Sequence, residues 1–377
     1  MRRLLPLLFV FVLAGCAGRQ AAVHGPLDSS GPRTTVSPDA LRIVGGVDAL
    51  TGLDGYDASD LFALAYTAFD AADYARALAL YDRLLQEFPE SADALTARWN
   101  GALCAEKLGE LEAAQAGFGA YAAGVADPLE ATIARIRQAR MLQRMGRYAE
   151  SVPGLEAALM ESGLDQEQRW EARMLRALAR AAAGEFTLAE SILDGVRREI
   201  RRHTLQSHER HPYPAAMVWV MAGDLYRLRA QHQDVAMVDD LPALDRSLQE
   251  KAQLLLEARQ HYKRALQHRV PAWSGAAAFG LGVVYEDFRS DLLAAPVPDD
   301  LDEEHAAVYA QLLEQRTRAF LEKAASDYRE VLGMADRLAL EPAWIHVVQG
   351  ALERCEDQLG LGQQAGVRAQ LDPPGGG

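Results

Sequence analysis

Cysteine is nearly absent: Cys16, Cys104 and Cys355 are the three in 377 residues. So few thiols exclude a fold held by a disulfide framework, and no Cys/His spacing matches a zinc site. Cys104 and Cys355 lie far apart, each within a helical pattern, and read as two buried free thiols, with a disulfide as the alternative in an oxidising compartment. Lysine is equally scarce (Lys107, Lys251, Lys263 and Lys323), so arginine carries the positive charge. The net charge is −14, which argues against a general binder of nucleic acid or anionic headgroups. Catalytic signatures are missing too. There is no Gly-x-Ser-x-Gly, no phosphate-cradling glycine loop and no His-Glu-x-x-His, and the stretch His208 to His211 is one residue short of the last. The carboxylates fall at surface helix positions, so no acid/base pair stands out. The chain is therefore read as no enzyme, with no cofactor, no metal and no small-molecule substrate.

What is present begins at the N-terminus. Arg2 and Arg3 precede an apolar run, Leu4 to Leu13, that is too short to span a bilayer. Small residues then lead into a single cysteine, as in a secretory signal. Leu13-Ala14-Gly15-Cys16 resembles the bacterial lipoprotein signal. That resemblance implies cleavage before Cys16, lipidation of its thiol and acylation of the new amine, an anchor made firm by about 0.8 kcal/mol per buried methylene. Ala17 follows where an aspartate would retain the protein at the inner membrane, so the expected location is the periplasmic face of the outer membrane, held by the lipid anchor. Residues 1–15 are thus a signal peptide, and 16–55, rich in Pro, Gly, Ser and Thr, a flexible tether. Residues 361–377 are expected to form a disordered tail.

Four stretches between these ends align: Ala72 to Ala77, Gly109 to Ala114, Gly146 to Ser151 and Gly184 to Ala189, with first residues 37, 37 and 38 apart. Each has a small residue for a tight turn, then a large one (Tyr74, Leu111, Tyr148, Phe186) to start a helix and pack back. A small one three further on (Ala77, Ala114, Ser151, Ala189) permits close helix approach. Tyr81, Phe118, Leu155 and Leu193 follow four residues later. The pattern resembles the tetratricopeptide repeat. Trp219, Ala222, Gly223 and Tyr226 match the first-helix half of that signature, as do Ala278, Leu281, Gly282 and Tyr285. Ala258, Tyr262 and Ala265, then Ala324 and Tyr328, supply the second halves. The resemblance implies an all-α, right-handed solenoid of about six helix pairs. Repeats occupy 56–205, and 206–360 holds further repeats with insertions near 231–247 and 288–316 and a capping helix over 343–359.

By that family's register the first helices line a groove. The residues so placed include Phe62, Tyr66, Phe69, Trp99, Lys107, Arg140 and Arg144, aromatic and basic groups suited to an extended peptide or partner helix. The i, i+4, i+7 spacing of Phe62, Tyr66 and Phe69 fits helix core equally. Arg197, Arg198, Arg201, Arg202 and His203 form a basic run read as the close of a helix. It is either a solvated face or a patch for an acidic partner or anionic lipid. Asp299, Asp300, Asp302, Glu303 and Glu304 suit the first turn of a long helix. The segment from Tyr285 onward is similar to repeat proteins of myxobacteria and related bacteria, some associated with gliding motility. The phrase Tyr81 to Ser91 is similar to lipoproteins of outer-membrane barrel assembly and of the Tol-Pal system. The expected function is a lipid-anchored scaffold for envelope proteins within a motility or secretion complex. The alternative is an accessory lipoprotein of barrel assembly or cell-wall coordination.

Overall fold

The computed structural model describes residues 56–208, 210–233, 241–295, 302–338 and 340–360. The expectations for Cys16, for the 16–55 tether, for Asp299 and Asp300 and for the 361–377 tail lie outside them. Among the described residues the regular structure is helical: α1 (Ala58–Asp70), α2 (Tyr74–Glu87), α3 (Ala94–Leu108), α4 (Leu111–Gly124), α5 (Pro128–Arg144), α6 (Tyr148–Met160), α7 (Gln166–Ala182), α8 (Phe186–Ser207), α9 (Pro212–Gln231), α10 (Leu241–Gln267), α11 (Pro271–Leu293), α12 (Glu303–Gly333), the short α13 (Ala335–Leu338) and α14 (Pro342–Gln358). From α1 to α12 each helix packs on the next, and α12 packs on α14. This is an all-α solenoid of helix pairs with a terminal capping helix.

The pairs form for local reasons. Ala72, Gly109, Gly146 and Gly184, the first residues of the aligned stretches, all have positive φ, at 59°, 83°, 75° and 85°. A single left-handed residue ends the first helix of each pair and turns the chain into the second. Helix starts are capped. Asp73 accepts from the Arg76 amide, Asp127 precedes Pro128 and accepts from the Leu129 amide, and Asp165 and Gln168 form a reciprocal capping box. The small and large residues four apart, Ala77 with Tyr81 and Ala114 with Phe118, are fully buried.

In the later pairs a tyrosine from the second helix fills the space beside glycines of the first helices. A Cβ on Gly223 of α9 would lie 2.5 Å from the Tyr262 ring, and one on Gly280 of α11 would lie 2.6 Å from it. A Cβ on Gly282 would lie 2.3 Å from Tyr328. Each ring is buried and its hydroxyl donates to a carboxylate, Tyr262 to Asp224 at 2.6 Å and Tyr328 to Glu286. Glycine is required there by close approach, since a methyl would overlap the ring.

Two expectations need correction in detail, and the described residues of the insertions are in large part helix. α9 to α12 lengthen to 20, 27, 23 and 31 residues, against 13 to 17 for α1 to α7. The basic run does not close α8, which continues to Ser207, so Arg201 and Arg202 lie inside it. The capping helix begins one residue early, at Pro342, and makes a contact that no local pattern announced: it packs on α3 as well as on α11 and α12. Asp302, Glu303 and Glu304 do open a long helix, with Asp302 accepting from the His305 amide. Cys104 and Cys355 are both free and buried, and burial pushes each thiol up to about 12.

Candidate functional site

The first helices of successive pairs bring charged residues together on one face. Arg140, on α5, is at the centre. Its Nη2 donates to Glu106 Oε1 of α3 at 2.7 Å, and its Nη1 donates to Glu171 Oε1 of α7 at 2.9 Å and to the Tyr213 hydroxyl of α9 at 2.7 Å. Four first helices are thereby tied through one guanidinium. Arg137 adds a second, longer bond to Glu106 at 3.3 Å. Burial alone would raise the Glu106 carboxyl, but Arg140, Arg137, Arg144 and Lys107 together hold it below the usual carboxylate range. Tyr213 is pushed far up, chiefly by burial, and stays a neutral hydroxyl.

The N-terminal end of α14 lies against the same face. Lys107 Nζ is 2.6 Å from Glu341 Oε1, and the Arg144 guanidinium sits 5.0 Å from the centroid of the Trp344 ring. Gly275 of α11 makes room for that indole, since a Cβ there would fall 2.0 Å from it. Phe279 packs beside it at 6.4 Å. A short stretch of the chain, Glu341 to Trp344, is therefore held by an ion pair at one end and a cation–π contact at the other.

The seven residues expected to line a groove thus separate. Trp99 does not line it. The indole is buried between α3 and α4, edge-on to Phe118 at 5.3 Å and tilted on Tyr121 at 5.0 Å. Phe62 and Phe69 turn toward the paired helix, on Tyr81 and Tyr74, as the core reading of their spacing has it. Tyr66 is exposed. Arg140 is buried, with its donors directed at Glu106, Glu171 and Tyr213 rather than outward. Lys107 and Arg144 do meet a carboxylate and an aromatic ring, but those of α14.

Sequence reasoning missed Glu171, Tyr213, Glu341 and Trp344. Tyr213 and Trp344 sit in the first turns of distant helices, and no local signal says that they return to α5. The imidazoles of His203 and His211 lie 2.9 Å apart, nitrogen to nitrogen, and His211 meets Glu167 at 2.6 Å, around the buried Trp170. No group of three or more His, Cys, Asp or Glu among the described residues is arranged to hold a metal ion. No helix among them is long and apolar enough to cross a membrane.

No family model and no curated protein matches the sequence. Solved structures of helix-pair proteins do. A tetratricopeptide repeat protein from Parabacteroides merdae ATCC 43184 is 12% identical over 79% of this chain and 98% of its own, with a TM-score of 0.37. A TPR repeats protein from Bacteroides fragilis NCTC 9343 is 14% identical over 80% of this chain and 98% of its own, with a TM-score of 0.27. Both scores are low, so the solenoid is established by the chain's own helix pairs, and these proteins are what it is similar to.

Proposed function

We propose that this chain is a lipid-anchored interaction scaffold of the bacterial envelope, and that the face formed by its first helices docks a segment of a partner protein. One observation carries the docking reading: that face already holds a peptide segment, Glu341 to Trp344, through Lys107 and Arg144. The same two groups suit a partner segment bearing a carboxylate and an aromatic ring, with the exposed Tyr66 further along the first helices. The charged groups of the face are bonded to one another between helices, an arrangement that fixes helix positions. The anchor rests on Leu13-Ala14-Gly15-Cys16.

Two experiments test the reading. Trp344→Ala frees Arg144, and a synthetic peptide spanning residues 340–350 should then bind the variant more tightly than the parent. Lys107→Glu in the same background should abolish that binding with the helical circular-dichroism signal intact. Equal binding to all three chains defeats the docking reading. For the anchor, a clickable fatty-acid probe supplied to cells should label the parent chain and leave Cys16→Ser unlabelled. Barrel-assembly subunits recovered from solubilised envelope in a Lys107-dependent manner would favour that assembly role over a motility or secretion complex.

A further inference from the structure

The basic run on α8 borders a cavity of about 860 Å³, walled by α8, the start of α9 and the end of α10. This lies within the range of built ligand sites. Its floor is apolar, with Ile200 and Val218 buried and Trp219 half-buried. Its rim carries Arg198, Arg201 and Arg210, all exposed, and no acidic residue is among the described residues that line it. Of the described acids nearby, Asp194 pairs with Arg197, itself a lining residue, at 2.8 Å, and Glu199 takes Arg173 at 2.6 Å and the Trp170 indole. Arg197 and Arg264 each stack on Trp219 at 5.0 Å, which fixes the indole in the wall. In a chain of net charge −14 this is a local concentration of arginine above an apolar recess.

We propose that this cavity is a second docking site, independent of the first-helix face, for an acidic peptide segment with an apolar anchor. Leucine or phenylalanine would fill the recess while flanking carboxylates meet the three rim arginines, each able to take a carboxylate through two parallel N–H donors. Charge complementarity selects the occupant. A short acidic segment touches only the basic rim, whose field reaches about 8 Å at physiological salt. An anionic bilayer would have to approach the acidic remainder of the chain as well.

The test is fluorescence anisotropy with the full-length chain and a labelled hexapeptide, Asp-Glu-Leu-Phe-Asp-Glu. Three comparisons are made: its amide counterpart Asn-Gln-Leu-Phe-Asn-Gln, its apolar-less counterpart Asp-Glu-Ser-Ser-Asp-Glu, and sedimentation with phosphatidylglycerol vesicles. The acidic, apolar peptide should bind best, and added salt should weaken it. Replacing Arg198, Arg201 and Arg210 by Gln should cost about tenfold in affinity, as three exposed charge pairs would. Thr204→Trp, which projects an indole into the recess and keeps every arginine, should weaken binding as much. Arg76→Gln, an exposed arginine of α2 that does not line the cavity, should leave it unchanged. The proposal is overturned by absence of peptide binding, by equal binding of the amide peptide, by undiminished binding to the triple variant or to Thr204→Trp, or by arginine-dependent vesicle binding without peptide binding.

Discussion

Replacing Arg140 by methionine keeps the side chain's bulk and removes the charge at which four helices meet. The Arg140, Glu106 and Glu171 side chains are 11%, 17% and 16% exposed, so the two carboxylates cannot be fully rehydrated where they stand. Removing one partner of a buried pair costs about 3–5 kcal/mol. Glu106 retains Arg137, which places the expected loss near the lower figure, about 3 kcal/mol. The pH dependence follows from Glu106. Its folded carboxyl is held below the ordinary value of 4.5, so it contributes stability that is present above that value and is lost as pH falls through the folded one. Arg140→Met removes most of that contribution. The gap between parent and variant should therefore be wide at neutral pH and narrow below about pH 4.5. Urea unfolding followed by far-ultraviolet circular dichroism at both pH values measures it, and hydrogen exchange should locate the loss on α5 and α7. A variant with the parent's midpoint at neutral pH, or a gap that persists unchanged in acid, would show that this guanidinium does not bind the first helices together.

Three more outcomes are expected. Gly223→Ala should lower the melting temperature, because a methyl 2.5 Å from a ring pinned on its other side by Gly280 costs about 1–3 kcal/mol. A rise, as helix propensity alone would give, refutes the packing argument. Ala72→Gly should stabilise by about 0.5–1 kcal/mol in chemical denaturation, since Ala72 is the one turn residue of its set that holds a positive φ with a side chain. His261 is pushed down to about 4 by burial and then by Arg264. Its contribution is present above the ordinary value of 6.5 and is lost as pH falls from there toward 4. His261→Phe should flatten the melting-temperature profile across that window by the equivalent of about 2 kcal/mol, and a profile as steep as the parent's would exclude His261 as the cause.

The repeat was legible because its determinants are local. Ala72, Gly109, Gly146 and Gly184 each set one turn, and Ala77 with Tyr81 or Gly223 with Tyr262 set one packing contact inside a pair. The helix lengths in the second half were less legible, since a polar insertion such as that before α10 can extend a helix as readily as a loop. The site was read only in part. Register placed Lys107, Arg140 and Arg144 on a common face, but it put Trp99 there as well. Whether a residue on a first helix meets its own second helix or the face beyond depends on a rotation of a fraction of a turn, which apolar spacing does not resolve.

The amino-acid order alone decided that this chain is a series of helical hairpins, because each of the aligned turns is specified by a few adjacent residues. It also places a single cysteine, Cys16, ahead of them. Only the tertiary structure decided that Glu341 and Trp344 would close on Lys107 and Arg144, 234 residues from one charge to the other in the ion pair. That contact is fixed by the small rotations between neighbouring pairs summed over the array, a quantity carried by no single segment.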